Sequence, residues 1–138
     1  MIGLDTNVLA RYYIDDEADT EAQGQRLAAR RLIESGQPLM VSKSVILELE
    51  WVMRGYYGFD PVEVASVMRH LLGQAHITVE DRDAVQQALS NCCAGLDFAD
   101  ALHHASYKSC ASVASFDDRK FARRAKKLGL APAVTVLS

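Results

Sequence analysis

The chain is poor in the residues that mark secreted, zinc-binding or membrane proteins. Among its 138 residues are three cysteines, three prolines and one tryptophan. Cys92, Cys93 and Cys110 are an odd number without a Cys-x-x-Cys spacing, which argues against both a disulfide framework and a zinc site. No apolar run is long enough to span a membrane. Asp5 interrupts the only early apolar run and no basic segment precedes it, so we predict no signal peptide, reduced thiols and a cytoplasmic protein.

Size and composition favour a single globular domain over residues 1–138. Hydrophobic residues make up 49% of the chain, an ordinary share for a protein with a real core. The sequence contains no repeat, low-complexity segment or linker that would mark a second domain.

The net charge of −3 hides a strong asymmetry along the chain. Residues 1–100 hold 16 acidic and 8 basic residues, whereas residues 101–138 hold 2 acidic and 7 basic residues. Most of the basic group is concentrated in Arg119, Lys120, Arg123, Arg124, Lys126 and Lys127. This cluster suits a polyanionic ligand, although a solvated helix face explains it equally well.

Short apolar runs alternate with longer amphipathic stretches, which is typical of a parallel sheet covered by helices. We predict strands at residues 2–5, 39–42, 77–79, 112–115 and 133–137. Predicted helices cover residues 19–35, 45–54, 60–72, 81–93, 97–108 and 118–128. Right-handed crossovers would place helices on both faces of the sheet, so the fold class is α/β.

Four acidic residues stand where such a sheet would bring them together. Asp5 ends the first apolar run, Glu48 follows the second by one helical turn, Asp100 opens a helix and Asp117 follows the fourth strand. Carboxylates at the carboxyl ends of parallel strands converge on one crevice, and they repel one another unless a cation neutralises them. The spacing therefore predicts a divalent-metal site that acts on phosphate.

Four motifs carry a resemblance to a known family. The chain resembles the PIN-domain nucleases, and most closely their single-domain VapC-type toxins, through Leu4-Asp5-Thr6-Asn7-Val8-Leu9, Val45-Ile46-Leu47-Glu48-Leu49, Asp97-Phe98-Ala99-Asp100-Ala101-Leu102 and Ser115-Phe116-Asp117. The resemblance implies a three-layer α/β/α sandwich with a central parallel β-sheet. It also implies a Mg²⁺- or Mn²⁺-dependent ribonuclease that forms a homodimer and is restrained by a cognate antitoxin protein.

Carried over residue by residue, the family's four acids fall on Asp5, Glu48, Asp100 and Asp117. Mg²⁺ prefers hard oxygen ligands, keeps several waters and usually takes one or two carboxylates directly. We expect Asp5 and Asp100 to bind the metal directly or through water, and Asp117 to complete the site or position a second ion. Glu48 would bind the metal or accept a proton from the attacking water, although the cluster titrates as a group and no single base is assigned.

Neighbouring polar residues have weaker assignments. Thr6 and Asn7 would hold Asp5 or a metal-bound water, and Ser115 would do the same from its strand; each also fits a simple turn or cap. His103 and His104 lie within one turn of Asp100, but we interpret them as structural or exposed residues, because histidine suits Zn²⁺ better than Mg²⁺.

Two pairs of neighbouring acidic residues have to be assigned different roles. Asp97 and Asp100 are three residues apart at a helix start, so we assign Asp97 mainly to the N-cap, with a supporting role at the site, and Asp100 to the metal. Asp117 is favoured over Asp118 because it directly follows the strand, whereas Asp118 suits the first turn of a helix.

Aromatic residues suggest protein partners. Trp51, Tyr12, Tyr13, Tyr56 and Tyr57 form more aromatic surface than a small core absorbs. By analogy with the family, part of this surface would bind an antitoxin helix or form a two-fold dimer face. Packing beneath the sheet is the alternative.

The main hypothesis is a metal-dependent endoribonuclease toxin, whose residues Arg119, Lys120, Arg123, Arg124 and Lys127 track the RNA backbone. A non-catalytic nucleic-acid-binding or interaction module on the same fold is the alternative. A phosphoacceptor signalling domain fits poorly, because it needs an adjacent acidic pair at the end of the first strand. A Mg²⁺ phosphatase fits poorly too, because Asn7 stands where the second aspartate of its motif would be.

Overall fold

The computed structural model describes residues 1–138, which form two compact units, Met1–Arg82 and Asp83–Ser138. All strand pairs are parallel, as the sequence predicts, and the hydrogen-bonded strands form one sheet in each unit. Seven α-helices accompany the five strands. The α/β fold class is therefore confirmed, while a single domain over residues 1–138 stays a prediction.

The first unit is built on a three-stranded sheet in the order β1-β2-β3. Its strands are β1 (Ile2–Gly3), β2 (Leu39–Val41) and β3 (Ile77–Val79). The register pairs Ile2 with Leu39, and Leu39 with Ile77. Its helices are α1 (Thr6–Tyr13), α2 (Thr20–Ile33), α3 (Lys43–Trp51) and α4 (Pro61–Leu72). Helix α1 packs against α2 and α3.

The second unit pairs β4 (Ser112–Ser115) with β5 (Ala133–Val136). Its helices are α5 (Arg82–Cys93), which begins at the last residue of the first unit, α6 (Phe98–Ser106) and the short α7 (Arg123–Lys127). Gly95 and Gly129 follow the ends of α5 and α7 with φ of +120° and +68°, a backbone conformation that glycine adopts without strain.

Two π-helical turns replace what the sequence predicts as ordinary helix. One, Val52–Tyr56, continues α3; the other, Asp118–Ala122, precedes α7. Turns of this kind insert one residue into the helical hydrogen-bond pattern and often occur at functional sites. The sequence predicts no helix at α1. Strands β3 and β4 match the prediction at both ends, and most other helix and strand ends differ from it by a few residues.

Short polar side chains start most helices. Asp19 accepts hydrogen bonds from the Glu21 and Ala22 N–H groups, and Ser42 accepts one from Val45 N–H. Such caps satisfy backbone donors that have no partner within the helix. The sequence-predicted helix starts near residues 19, 42, 60 and 97 thus have a direct physical cause.

Aliphatic side chains fill the core. The largest fully buried side chains are Leu9, Leu39, Val41, Ile46, Leu49, Met53, Met68 and Leu71 in the first unit, with Val85 and Leu96 in the second. Close-packed interiors of this type hold strand ends and helix starts in fixed positions. None of the helices combines the length and the apolar character that crossing a bilayer requires.

Helix α4 provides a test of capping. Asp60 Oδ1 accepts from Glu63 N–H at 2.8 Å while Glu63 Oε1 accepts from Asp60 N–H at 3.0 Å. Asp60→Ala should lower the free energy of unfolding by about 1 kcal/mol, because it leaves a helix donor without its partner. Urea denaturation measures the loss. Glu17→Ala, which removes an exposed carboxylate outside any cap, is the matched control, and an equal loss in both variants would contradict the prediction.

Candidate functional site

Asp5 stands at the turn from β1 into α1. It is the N-cap of α1, with φ −80° and ψ 160°, and its Oδ1 accepts a hydrogen bond from Thr6 N–H at 2.8 Å. The side chain is exposed. One carboxylate oxygen is thus fixed by the helix start, and Oδ2 lies outside this cap.

Thr6, beside Asp5, carries an unusual hydroxyl group. The residue is 5% exposed, and its Oγ1 has no hydrogen-bond partner. Leaving a buried hydroxyl unpaired costs free energy, so this oxygen would gain from a partner bound beside Asp5. The prediction that Thr6 supports the site is compatible with this unpaired oxygen.

The first unit gathers four carboxylates on one cavity of about 320 Å³, which we call the acidic cavity. Asp5 and Glu48 line it, as do Asp16 and Asp19, and Arg11 is the cation among the lining residues. Asn7, Tyr56 and Tyr57 line the same space. Sequence reasoning missed Asp16 and Asp19, although the acid-rich run at residues 15–19 was a signal for them.

The second unit brings together three further acids around the start of α6 and the end of β4. Asp97 is the N-cap of α6, where its Oδ1 accepts from Ala99 and Asp100 N–H at 3.0 and 3.3 Å. Asp117 Oδ1 accepts from Lys120 N–H at 2.9 Å, and Asp117 N–H donates to Ser115 Oγ at 3.0 Å. Ser115 therefore contacts the Asp117 backbone, while Asp117 itself also caps a helical turn.

The pKa of Asp100 is shifted by burial and by charged neighbours. Partial burial raises the pKa of its carboxyl group, and the negative charges of Asp97 and Asp117 raise it further. His103 and Arg124 act in the opposite direction. A carboxylate held beside two others is a place where a cation would be stabilised.

The two histidines near Asp100 differ in environment. His104 is 4% exposed and its Nε2 lies 2.8 Å from the Pro132 carbonyl oxygen, whereas His103 is exposed. These positions agree with the structural and exposed roles expected from the sequence.

Exposed cations follow β4 in the chain. Arg119, Lys120, Arg123, Arg124 and Lys127 all have exposed side chains on the second π-helical turn and on α7. Arg123 Nη2 lies 3.5 Å from Asp118 Oδ2, a solvent-exposed pair of small energetic value. Asp118 thus has a surface partner, whereas Asp117 lies at the strand end.

The atoms that these residues offer as ligands determine which metal ion they would bind. Within neither unit do three or more histidine, cysteine, aspartate or glutamate side chains converge on one point as a preformed cage. Mg²⁺ and Mn²⁺ need no such cage, because they retain water ligands and bind through one or two carboxylates. The carboxylates and the unpaired Thr6 Oγ1 fit an ion of this kind and do not fit a zinc site.

Comparison with known proteins agrees with this chemistry. The family model for the PIN domain matches residues 2–127. The chain therefore belongs to the PIN-domain family, whose members are generally nucleases, that is, hydrolases, and typically use divalent metals. No curated protein sequence matches the chain at a significant level.

The raised pKa of Asp100 has a consequence for stability. Because the folded state binds this proton more tightly than the unfolded chain does, stability falls as pH rises through the raised pKa, and the ionised carboxylate is destabilising at neutral pH. Asp100→Asn should therefore raise the melting temperature at pH 7.5 in EDTA, by about 1–3 °C.

Thermal melts of the wild type and of Asp100→Asn, from pH 7.5 down to pH 4, test the predicted direction of the change in melting temperature. The gain should shrink as the pH falls through the raised pKa of Asp100 towards the ordinary aspartate value of 3.8, because the folded wild type takes up its proton over this range. Glu17→Gln, which neutralises an exposed carboxylate, is the control. A gain that is independent of pH, or equal in the control, would contradict the electrostatic explanation.

Proposed function

We propose that this chain is a metal-dependent endoribonuclease that hydrolyses RNA phosphodiester bonds. The observation that carries the proposal is the placement of Asp5 and Glu48 on one acidic cavity beside the unpaired Thr6 hydroxyl group, in a PIN-domain chain. Repulsion among such carboxylates is relieved by a cation, and a cation also attracts the phosphate that the carboxylates alone would repel.

In this proposal Asp5, Asp100 and Asp117 are the metal ligands, as the family resemblance implies. Mg²⁺ or Mn²⁺, when bound, would acidify a coordinated water and neutralise charge on the phosphate. The support from these residues is their chemistry: all three are aspartates, and Asp100 already lies in a field of negative charge. The Asp5 and Asp117 side chains are additionally held in place by backbone donors, at 2.8 and 2.9 Å.

The remaining residues act on protons, water and RNA. Glu48, exposed on α3 and lining the acidic cavity, would bind the metal or accept a proton from the attacking water. Thr6 Oγ1 and the Asn7 amide orient water next to Asp5, while Ser115 and Asp97 hold Asp117 and Asp100 through backbone hydrogen bonds. The exposed cations from Arg119 to Lys127 bind the RNA backbone without reading bases.

The biological role follows from the resemblance to VapC-type toxins. We propose a toxin of a two-protein module in the cytoplasm, active as a homodimer and restrained by a cognate antitoxin. Exposed apolar side chains support a protein partner: Leu27 on α2 is 52% exposed and Val62 on α4 is 78% exposed.

Cleavage of total cellular RNA tests the activity. Purified protein, freed of bound partners, should produce discrete fragments in Mg²⁺ or Mn²⁺ and none in EDTA. Asp5→Asn should lower the rate by roughly 100-fold or more, because it removes a charged group that acts in the reaction. Asp15→Asn is the matched control, because Asp15 is an exposed aspartate that pairs with Arg26 and does not line the acidic cavity.

Two results would contradict the catalytic proposal. One is cleavage that survives in both EDTA and Asp5→Asn, which would identify a contaminating nuclease. The other is RNA binding without cleavage in either metal, which would favour the non-catalytic binding module.

The salt dependence of RNA binding tests the basic cluster. In Asp5→Asn, which still binds but cuts slowly, the double variant Arg119→Ala/Lys127→Ala should flatten the plot of log affinity against log salt concentration. Each lost phosphate contact lowers the slope by roughly 0.7 for single strands. Arg31→Ala, which removes an exposed cation from α2, is the control and should leave the slope unchanged.

A further inference from the structure

Two large aromatic side chains are exposed where α3 ends. Trp51, the last residue of α3, is 57% exposed, and Tyr56, the last residue of the following π-helical turn, is 72% exposed. Tyr57 comes directly after them and is only half-buried. We call Trp51, Tyr56 and Tyr57 the aromatic rim. Aromatic surface left in water by the native fold is a recognised sign of a binding surface.

Specific contacts hold the side chains of the aromatic rim in place. The Trp51 indole lies against Gly55, where an added Cβ would come within 3.3 Å of the indole Cε2 and Nε1 atoms. The Tyr56 and Tyr57 rings meet edge to face, with centroids 4.8 Å apart and an interplanar angle of 73°. Tyr57 Oη donates to Asp16 Oδ2 at 3.2 Å. Tyr57 is thus anchored, and it holds the exposed ring of Tyr56.

The rim adjoins the proposed reaction site. Tyr56 and Tyr57 line the acidic cavity together with Asp5 and Glu48. A group that stacks on Tyr56 would therefore enter the same cavity as the carboxylates that we assign to catalysis and metal binding.

The charge of the cavity selects the kind of group that can enter. Away from the cation of the proposed function, the four carboxylates, with Arg11 as the opposing charge, repel a phosphate or an acidic side chain. A nucleobase is neutral and planar, so it can stack on an aromatic ring in this environment. About 320 Å³ lies at the lower end of the range of roughly 300–1,000 Å³ for small-molecule pockets, so the space suits one base rather than a folded segment.

We propose that the aromatic rim binds an unpaired nucleobase of the RNA substrate by stacking, with Tyr56 as the principal stacking residue. The inference rests on the proposed ribonuclease function and makes the substrate single-stranded next to the cut. Bases in a double helix present only their edges, whereas bases in loops and single strands can be stacked on aromatic side chains. Tyr56 acts by positioning RNA and takes no part in the chemical step.

Tryptophan fluorescence gives a readout that does not depend on activity. Trp51 is the chain's single tryptophan. In EDTA, where no cleavage occurs, titration with a twelve-nucleotide oligoadenylate should quench its emission. An abasic oligomer of the same length and charge should quench it far less, and the same oligomer in a duplex should bind more weakly. Equal quenching by the abasic oligomer would overturn the proposal, because phosphate contacts alone would then account for it.

Substitutions at Tyr56 separate stacking from general damage. Tyr56→Ala should weaken oligoadenylate binding about tenfold, the usual size of one lost base–aromatic stack. Tyr56→Phe keeps the ring and should bind within about twofold of wild type. Tyr107→Ala removes a 47% exposed tyrosine of the other unit and is the matched control. Circular dichroism melts would show that each variant is folded.

The same variants distinguish failure of this inference from failure of the proposed function. If Tyr56→Ala binds and cleaves RNA like wild type, stacking is wrong while the ribonuclease stands. If Tyr56→Ala leaves RNA affinity intact but changes the mass of the protein in light scattering, the rim is a contact between copies of the chain and stacking is again wrong. If wild-type protein neither binds nor cleaves RNA, the proposed function fails first.

Discussion

The turn from a parallel strand into a helix is the constraint on which the rest of this structure depends. Parallel pairing gives all strands of a sheet the same direction, so their carboxyl ends lie on the same edge. At that edge the chain must start a helix whose first N–H groups lack partners. Asp5 after β1 and Asp117 after β4 both meet this need, each with its Oδ1 atom. A helix cap and a candidate metal ligand are thus the same side chain.

Placing carboxylates that cap helices and also serve as candidate metal ligands close together has an electrostatic cost. Caps near one another concentrate negative charge: burial raises the pKa of Asp100, and the charges of Asp97 and Asp117 raise it further. A fold can retain closely spaced negative charges where activity requires them, because its densely packed core offsets the loss of folding free energy at the site. The concentration of negative charge at these acids is therefore consistent with the proposed role in binding a cation.

Local signals made much of the fold predictable. Strands β3 and β4 agree with the prediction at both ends, because short apolar runs bounded by polar or glycine residues leave little choice. Asp19, Asp60 and Asp97 start helices as expected. Helix α1 is absent from the prediction, although Asp5, Thr6 and Asn7, which the sequence assigns to the site or to a turn or cap, open a helix.

Long-range arrangement was not predictable from local signals. A π-helical turn differs from an α-helix by one inserted residue, and nothing in the composition of residues 52–56 marks the insertion. That insertion changes the direction of the residues that follow, so neither the exposure of Tyr56 nor the anchoring of Tyr57 on Asp16 could be deduced from spacing. Asp16, in the segment after α1, in turn lines the acidic cavity together with residues distant from it in the chain. The sequence thus does not predict the part of the site that is formed by residues distant in the chain. Substrate selectivity would arise in this same part.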